Sequence, residues 1–312
     1  MKYPHQPVLV HEVVKYLLHS PCGTFVDGTV GTGGHSLAVA KAMDEKGRLI
    51  CLDRDPDAVN LSRERLAFLG KDITVIKANY SDLDTVLDEL HIKALDGVLL
   101  DLGMSSQQLD NSGRGFSFTR DEILDMRMDP DDELTAYDLV NILPQQDLER
   151  ILRDYGEEKR ARLIARAIAA ARSENPIKTS SQLARIIKST FPPHADANKH
   201  PATRSFQALR IAINKELHNL ETFLRKIPQL MAAGGRLVIL SYHSLEDRIV
   251  KQTMANWEKG CECPPDFPRC VCGKVVLFRR LFKKGIRPGA LEIKINPRAR
   301  SAVLRAAERM LS

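Results

Sequence analysis

Short apolar runs alternate with amphipathic segments along the first third of the chain. The apolar runs, bounded by turn residues, predict β-strands at 24–27, 48–53, 73–77 and 95–101. Apolar positions at helical spacing predict helices at 8–18, 36–43 and 57–69. A further helix is predicted after Ser81, which with Asp84 resembles a capping box. This alternation predicts an α/β fold, in which a doubly wound parallel sheet is covered by helices.

The alternation stops after the fourth strand. Residues 102–135 are rich in Gly, Ser and Asp and predict a long loop, a length that favours a functional segment. Helical spacing then dominates, with helices predicted at 148–155, 159–172, 181–190 and 206–231, before a fifth strand at 235–241. We therefore expect an all-helical domain at 111–205, inserted into an α/β domain made of residues 1–110 and 206–312.

The turn after the first strand is the strongest chemical signal in the chain. It reads Gly28-Thr29-Val30-Gly31-Thr32-Gly33-Gly34-His35, and the second strand ends in Asp53. Such a unit builds a nucleoside-sized crevice at the carboxyl edge of the sheet, where an acidic residue accepts hydrogen bonds from ribose hydroxyls. A dinucleotide fingerprint requires a third glycine at the position of Ser36, and Asp27 is a poor neighbour for a pyrophosphate. The pattern therefore favours S-adenosylmethionine, which carries a sulfonium, over NAD.

Polar side chains also follow the other predicted strands. Asp101 ends the fourth strand and is placed to face the reacting centre, or it is an ordinary residue of a strand-ending turn. Gln108 lies shortly after it and is a candidate partner of adenine or a polar cofactor group. Tyr80 either stacks on adenine or is a half-buried aromatic residue. His243 follows the fifth strand, but a solitary histidine is more often structural, and segment 244–247 resembles a plain helix start.

Charge is distributed unevenly along the chain. Residues 1–144 carry 14 basic and 24 acidic side chains, whereas residues 145–312 carry 32 basic and 16 acidic ones. Three arginine-rich stretches lie in the basic half, at 203–210, 278–284 and 296–301. A surface of one sign attracts phosphates, and arginines beside aromatic residues suit phosphate contacts and base stacking. We therefore expect a polyanionic partner.

Length and composition set the class of protein. The chain has 312 residues, of which 43% are hydrophobic, enough for one large core or two smaller ones. Its N-terminus is polar and interrupted by proline, unlike a signal peptide, and no apolar run approaches the roughly 20 residues of a membrane span. We expect a cytoplasmic protein without a membrane partner, either a monomer or a homodimer.

Four of the six cysteines form a cluster, in which Cys261 and Cys263 are separated by a proline-rich stretch from Cys270 and Cys272. In a cytosolic chain, clustered thiols indicate zinc more readily than disulfides. The C-x-C spacing is tighter than the usual C-x₂-C, so structural zinc and free thiols remain equally supported. A catalytic metal is not expected, because no histidine or carboxylate joins the cluster in a ligand pattern.

Six segments resemble those of a known family. They are GTVGTGGH at 28–35, DGVLLDLG at 96–103, RGFSF at 114–118, MRMD at 126–129, SYHSLEDR at 241–248 and NPRARSA at 296–302. Together they are similar to the bacterial ribosomal RNA small-subunit methyltransferase H family, also called MraW. The chain departs from the family's pattern at Tyr242, where Phe is common, and at 287–292, which lacks a frequent Ser-Glu-Glu.

The resemblance implies a class I methyltransferase fold with an inserted helical domain. It implies methylation of the exocyclic N4 of a cytidine in the decoding region of 16S rRNA, with S-adenosyl-L-methionine as the cofactor. The rRNA is expected as the partner, within the small ribosomal subunit. The resemblance also implies the cofactor-binding residues, which are Gly33, Gly34, His35, Asp53, Tyr80, Asp101 and Gln108.

The chemistry of this reaction suggests two catalytic residues. Cytosine N4 is conjugated with its ring, so an acceptor for the amino protons would make the nitrogen a better nucleophile. Our hypothesis assigns this role to Asp101, which is alternatively the anchor of the cofactor's charged group, and makes His243 a secondary candidate. The competing interpretations are an NAD-dependent oxidoreductase and a non-catalytic RNA-binding assembly factor.

Overall fold

The first half of the α/β region folds as strands and helices in strict alternation. We describe the protein from a computed structural model, which describes residues 7–110, 112–192, 200–261, 263, 269 and 271–311. The elements are α1 (Val10–Leu17), β1 (Thr24–Asp27), α2 (Gly34–Ala42), β2 (Arg48–Asp53), α3 (Pro56–Leu66), β3 (Asp72–Lys77), α4 (Leu83–Glu89) and β4 (Leu95–Asp101). The bounds of β1, β2 and β4 match the prediction, and β3 begins one residue earlier.

The middle of the chain is helical. Its elements are α5 (Ser106–Asp110), α6 (Ala136–Ile142), α7 (Gln145–Asp154), α8 (Ala161–Glu174), α9 (Ser180–Ser189) and α10 (Thr203–Asn214). The rest of the chain adds α11 (Glu216–Leu230), β5 (Met231–Ser241), α12 (Ser244–Trp257), β6 (Phe278–Arg280), α13 (Ala290–Ile295) and β7 (Val303–Arg309). Within the described ranges, no helix combines the length and hydrophobicity that crossing a bilayer requires.

The described chain divides into two compact units, Met1–Gly103 with His218–Ser312, and Met104–Leu217. The second unit thus ends beyond the insert boundary expected at residue 205. The reason is α10, whose side chains Phe206, Leu209 and Ile213 are buried in the core of the second unit.

The first unit is built on a seven-stranded sheet in the order β3-β2-β1-β4-β5-β7-β6. Strands β1 to β5 are parallel, and β7 is antiparallel to both of its neighbours. Alternate residues of each central strand enter different cores, as Phe25 and Val26 do in β1. Helices α4, α11 and α12 contribute to one core, whereas α1, α2 and α3 contribute to the other. The predicted doubly wound α/β fold is confirmed.

Two predictions about helix ends are wrong. Ser81 does not cap α4, because it lies in a 3₁₀ turn over Tyr80–Asp82, and Oδ1 of Asp84 accepts a hydrogen bond from Nζ of Lys226 at 2.6 Å instead. The single helix predicted at 206–231 is two helices, since Lys215 adopts a left-handed conformation with φ of 50°. Such a residue ends a helix.

The long loop predicted at 102–135 contains the short helix α5, and residues 112–135 are fixed within the second unit. Nη1 of Arg114 donates to the carbonyls of Arg127 and Met128 at 3.1 and 2.9 Å. Asn214 reaches the same segment, with Nδ2 donating to the carbonyl of Met126 and Oδ1 accepting from the N–H of Met128, both at 2.8 Å. These hydrogen bonds give partners to backbone N–H and C=O groups that have none from a helix or a strand.

Candidate active site

Three carboxylates lie at the carboxyl ends of neighbouring parallel strands in the first unit. Asp27, Asp53 and Asp101 end β1, β2 and β4, in the order β2-β1-β4 across the sheet. The turn after β1 carries Gly31 and Gly33 at φ of 50° and 76°, which glycine adopts without steric cost, and Gly33 is the N-cap of α2. This edge is where open α/β sheets bind ligands.

Asp27 is bound by its own turn. Its Oδ2 accepts a hydrogen bond from Oγ of Ser36 at 2.6 Å, and its Oδ1 accepts one from the N–H of Thr29 at 3.2 Å. Burial raises the pKa of Asp27, and these hydrogen bonds offset part of the effect. Ser36, which replaces the third glycine of a dinucleotide fingerprint, therefore supports this buried carboxyl group.

Asp53 holds the other side of the turn. Its Oδ2 accepts from the N–H of Gly31 at 2.8 Å, and its Oδ1 accepts from the N–H of Asp55 at 3.0 Å. Burial raises the pKa of Asp53 to about 6, although both N–H groups favour the ionised form. The carboxyl group of Asp53, at the end of β2, therefore titrates close to neutral pH.

His35 and Asp101 meet across the site. Nε2 of His35 lies 3.3 Å from Oδ2 of Asp101, and His35 is 6% exposed. Nε2 makes no well-aligned hydrogen bond despite this proximity, and Nδ1 is buried and has no hydrogen-bond partner among the described residues. A buried polar atom without a partner costs free energy unless a ligand or a water satisfies it. This atom therefore indicates a binding position at the first turn of α2.

Asp101 is held by several hydrogen bonds. Its N–H donates to Oγ1 of Thr29 at 2.6 Å, and its Oδ1 accepts from the N–H of Gly103 at 3.0 Å. Burial alone would raise the pKa of Asp101, but His35, Gly103 and the hydroxyl of Tyr242 outweigh it and lower the pKa. Asp101 is thereby kept ionised near neutral pH.

Tyr242 is a site residue that our sequence reasoning missed. Burial, followed by the charge of Asp101 and a hydrogen bond to it, raises the pKa of the Tyr242 hydroxyl, so this hydroxyl stays protonated and donates. A Cβ atom at Gly103 would lie 2.7 Å from the Tyr242 ring, so only glycine fits there. No local sequence signal marks this contact, which arises from the pairing of β4 with β5, because that pairing places the residues after Leu240 beside Asp101.

His243 is the N-cap of α12. Its Nδ1 accepts from the N–H of Glu246 at 3.5 Å, and its Nε2 lies 2.9 Å from Oε1 of Glu246. Oε2 of Glu246 accepts from the N–H groups of Tyr242 and His243 at 2.9 and 3.3 Å, which completes a capping box. The helix start predicted at segment 244–247 is confirmed, because α12 begins at Ser244, and the imidazole of His243 acts as its cap. The proton-accepting role of His243 stays a prediction.

Two further candidates lie in different units. Tyr80 packs edge-on against Phe223 in the first unit, with ring centroids 5.6 Å apart. Gln108 belongs to the second unit, where its Oε1 accepts from the N–H of Ser105 at 3.2 Å. Their contacts with the cofactor stay predictions.

Comparison with known proteins decides the family. The model of the MraW methylase family matches residues 2–310. The chain belongs to the MraW methylase family. This membership, together with the mixed seven-stranded sheet, confirms the class I methyltransferase fold expected from the six motifs.

Individual relatives match this chain over nearly its full length. It is 48% identical over 311 residues to ribosomal RNA small subunit methyltransferase H of Geobacter sulfurreducens, covering 99% of this chain and 100% of that protein. It is 47% identical over 307 residues to the protein of the same name from Symbiobacterium thermophilum, covering 98% and 96%. A solved rRNA methylase from Streptococcus thermophilus aligns with a TM-score of 0.42 and 11% identity, covering 97% of this chain and 94% of that one.

Proposed function

We propose that this chain transfers a methyl group from S-adenosyl-L-methionine to the exocyclic N4 of a cytidine in the decoding region of 16S rRNA. The observation that carries the proposal is the pair of His35 and Asp101, with a buried Nδ1 atom that needs a partner at a nucleoside-binding edge. Membership of a methylase family and relatives named as small-subunit rRNA methyltransferases support it.

The residues of this edge fit the cofactor. Gly33 and Gly34 lie at the start of α2, and among the described residues no side chain caps the first N–H groups of this helix. Those groups suit a carboxylate. The Asp53 carboxyl accepts from ribose hydroxyls, and Nδ1 of His35 bonds the amino-acid part of the ligand. When bound, the cofactor supplies an electrophilic methyl group on a sulfonium sulfur.

Asp101 is the acceptor for the amino protons of the target base. Its lowered pKa makes it a weak base, which suffices, because an amine that has gained a methyl group and a positive charge is strongly acidic. The N–H of Gly103 and the hydroxyl of Tyr242 donate to the carboxylate and His35 lies against it, so its position is fixed before the substrate arrives. Holding the two reactants in line lowers the activation barrier by roughly 7–11 kcal/mol. Positioning of the reactants is therefore the main contribution of the protein to catalysis.

The rRNA substrate is supported by charge as well as by the names of the relatives. Residues 145–312 carry 32 basic against 16 acidic side chains, which favours a polyanionic partner. A base inside a helix cannot reach a pocket of this kind, so the target cytidine leaves its stack at a cost of a few kcal/mol.

The decisive experiment maps the product. Small subunits from cells lacking this gene are incubated with the purified chain and the cofactor, and the rRNA is digested and sequenced by mass spectrometry. We expect one added methyl group, on N4 of a single decoding-region cytidine. Asp101→Asn should lower turnover at least about a hundredfold, whereas the exposed Asp88→Asn on α4 should not.

Two results would contradict the proposal. Methylation of another atom or nucleotide would exclude the assigned substrate. A turnover loss in Asp101→Asn that is fully recovered by saturating cofactor would show that Asp101 only anchors the cofactor.

A further inference from the structure

Three cysteines converge in the connection between α12 and β6. The Sγ atoms of Cys261, Cys263 and Cys272 all lie within 4.8 Å of one another. They come from two C-x-C segments separated in the sequence by a proline-rich stretch. Cys270, the remaining cysteine of this sequence cluster, lies outside the described residues.

The distance between two of the sulfur atoms matches metal coordination. Sγ of Cys261 and Sγ of Cys272 are 3.8 Å apart. A disulfide requires about 2.05 Å. In a tetrahedral zinc site with Zn–S bonds of about 2.3 Å, the edge between two sulfur atoms is about 3.8 Å. The spacing therefore fits two thiolates on one zinc ion.

Backbone amides point at the sulfur atoms. The N–H of Cys263 donates to Sγ of Cys261, and the N–H of Val271 donates to Sγ of Cys263, both at 3.4 Å. Hydrogen bonds from outside the ligand set orient ligands and stabilise thiolate charge. The second bond links the two C-x-C segments, so the backbone of one segment already supports a ligand of the other.

Regular secondary structure is missing from the described part of this connection. Its described residues between Trp257 and Phe278 form no helix or strand, and Val271 is 73% exposed. Its ends are fixed, because the N–H of Leu277 donates to the carbonyl of Trp257 at 2.9 Å, and the rings of Trp257 and Phe278 stack 4.5 Å apart. A long connection whose described residues form no regular structure and include no buried apolar side chain between Trp257 and Phe278 needs another source of order.

We propose that Cys261, Cys263 and Cys272 supply three of the ligands of a structural zinc ion that orders this connection. Each thiol releases its proton to solvent when it coordinates the ion. The site is separate from the carboxyl edge of the sheet and does not depend on the proposed methyl transfer. It goes beyond the proposed function, and its test does not require methyl transfer.

The test measures metal directly. The full chain is purified without chelator, and its zinc content is determined by inductively coupled plasma mass spectrometry. We expect one zinc ion per chain. In Cys261→Ser, Cys263→Ser and Cys272→Ser, the zinc affinity should fall at least about tenfold, because losing a ligand costs no less than losing an outer hydrogen bond. Cys22→Ser, an exposed cysteine elsewhere in the chain, is the matched control and should keep its zinc.

Two further measurements keep the test independent of folding and of activity. Cobalt(II) added to the zinc-free chain should give thiolate-to-cobalt charge-transfer absorption that Cys263→Ser lacks and Cys22→Ser retains. Trypsin should cut after Lys259 or Arg269 at least about tenfold faster once zinc is removed. Zinc content equal in all four variants, or a disulfide between Cys261 and Cys272 in the freshly purified chain, would overturn the proposal.

Discussion

His35 approaches Asp101 with its Nε2 atom 3.3 Å from Oδ2 of the carboxylate. The contact joins the first turn of α2 to the end of β4, and it leaves Nδ1 of the same imidazole buried without a partner among the described residues. One side chain thus orients the proposed acceptor with one nitrogen and offers the other nitrogen to a ligand.

Replacing His35 should weaken cofactor binding. In His35→Ala, the affinity for S-adenosylhomocysteine should fall at least about tenfold, because a ligand group loses a buried hydrogen bond worth about 1.5 kcal/mol. Titration calorimetry measures the effect, and His19→Ala, at an exposed histidine after α1, is the control. Unchanged affinity in His35→Ala would show that Nδ1 does not contact the cofactor.

Removing the hydroxyl of Ser36 should destabilise the fold. In Ser36→Ala, Asp27 stays buried but loses its 2.6 Å hydrogen bond, which should cost about 1–3 kcal/mol of unfolding free energy. Urea denaturation measures this free energy. Ser173→Ala, whose exposed hydroxyl bonds only the carbonyl of Ala170 on α8, should change it by less than about 0.5 kcal/mol. Equal stability of both variants would refute the supporting role of Ser36.

Asp53 should make stability depend on pH. Its pKa of about 6 in the folded state lies above the value of about 3.9 in an unfolded chain. The folded state therefore binds the proton more tightly, and the resulting stability is present below about pH 4 and is lost as pH rises through 6. The loss is on the order of 2–3 kcal/mol.

Comparison with a variant isolates this effect from other groups. The unfolding free energy of the cofactor-free chain is measured between pH 4 and pH 7 in the native protein and in Asp53→Asn. We expect the difference in unfolding free energy between the two proteins to change as pH rises from 4 to about 6 and to level off above the pKa of Asp53. Parallel curves would mean that Asp53 has an ordinary pKa.

The strand ends could be predicted because their signals are local. Strands β1, β2 and β4 are continuous apolar runs followed by Asp27, Asp53 and Asp101, and the parallel arrangement brings their ends to one edge. Strands β6 and β7 were not predicted, because their residues form neither a continuous apolar run nor an alternating pattern. Arg305 illustrates the reason, since it is nearly buried in β7 and bonds Asp247 at 2.7 Å across 58 residues.

The missed contacts of the site are also long-range. Nothing near Tyr242 in the sequence shows that its hydroxyl meets Asp101, and a break at Lys215 depends on a backbone angle rather than on a helix-breaking residue type. The pattern of residues thus identifies which groups reach the edge of the sheet, whereas tertiary packing decides which of them touch.

Binding of rRNA should depend strongly on salt. Each phosphate neutralised on a single strand contributes about −0.7 to the slope of log K against log salt concentration. With 32 basic residues in the second half of the chain, we expect a slope steeper than about −2. Filter binding of a decoding-region RNA at several salt concentrations measures this slope. A slope of zero would exclude a contribution of phosphate contacts to binding.

A crystal structure with S-adenosylhomocysteine tests the central claim most directly. The account predicts the ribose hydroxyls on the Asp53 carboxyl and a hydrogen bond from the amino-acid part to Nδ1 of His35, beside Asp101. A molecule bound elsewhere, with this edge empty, would contradict the account.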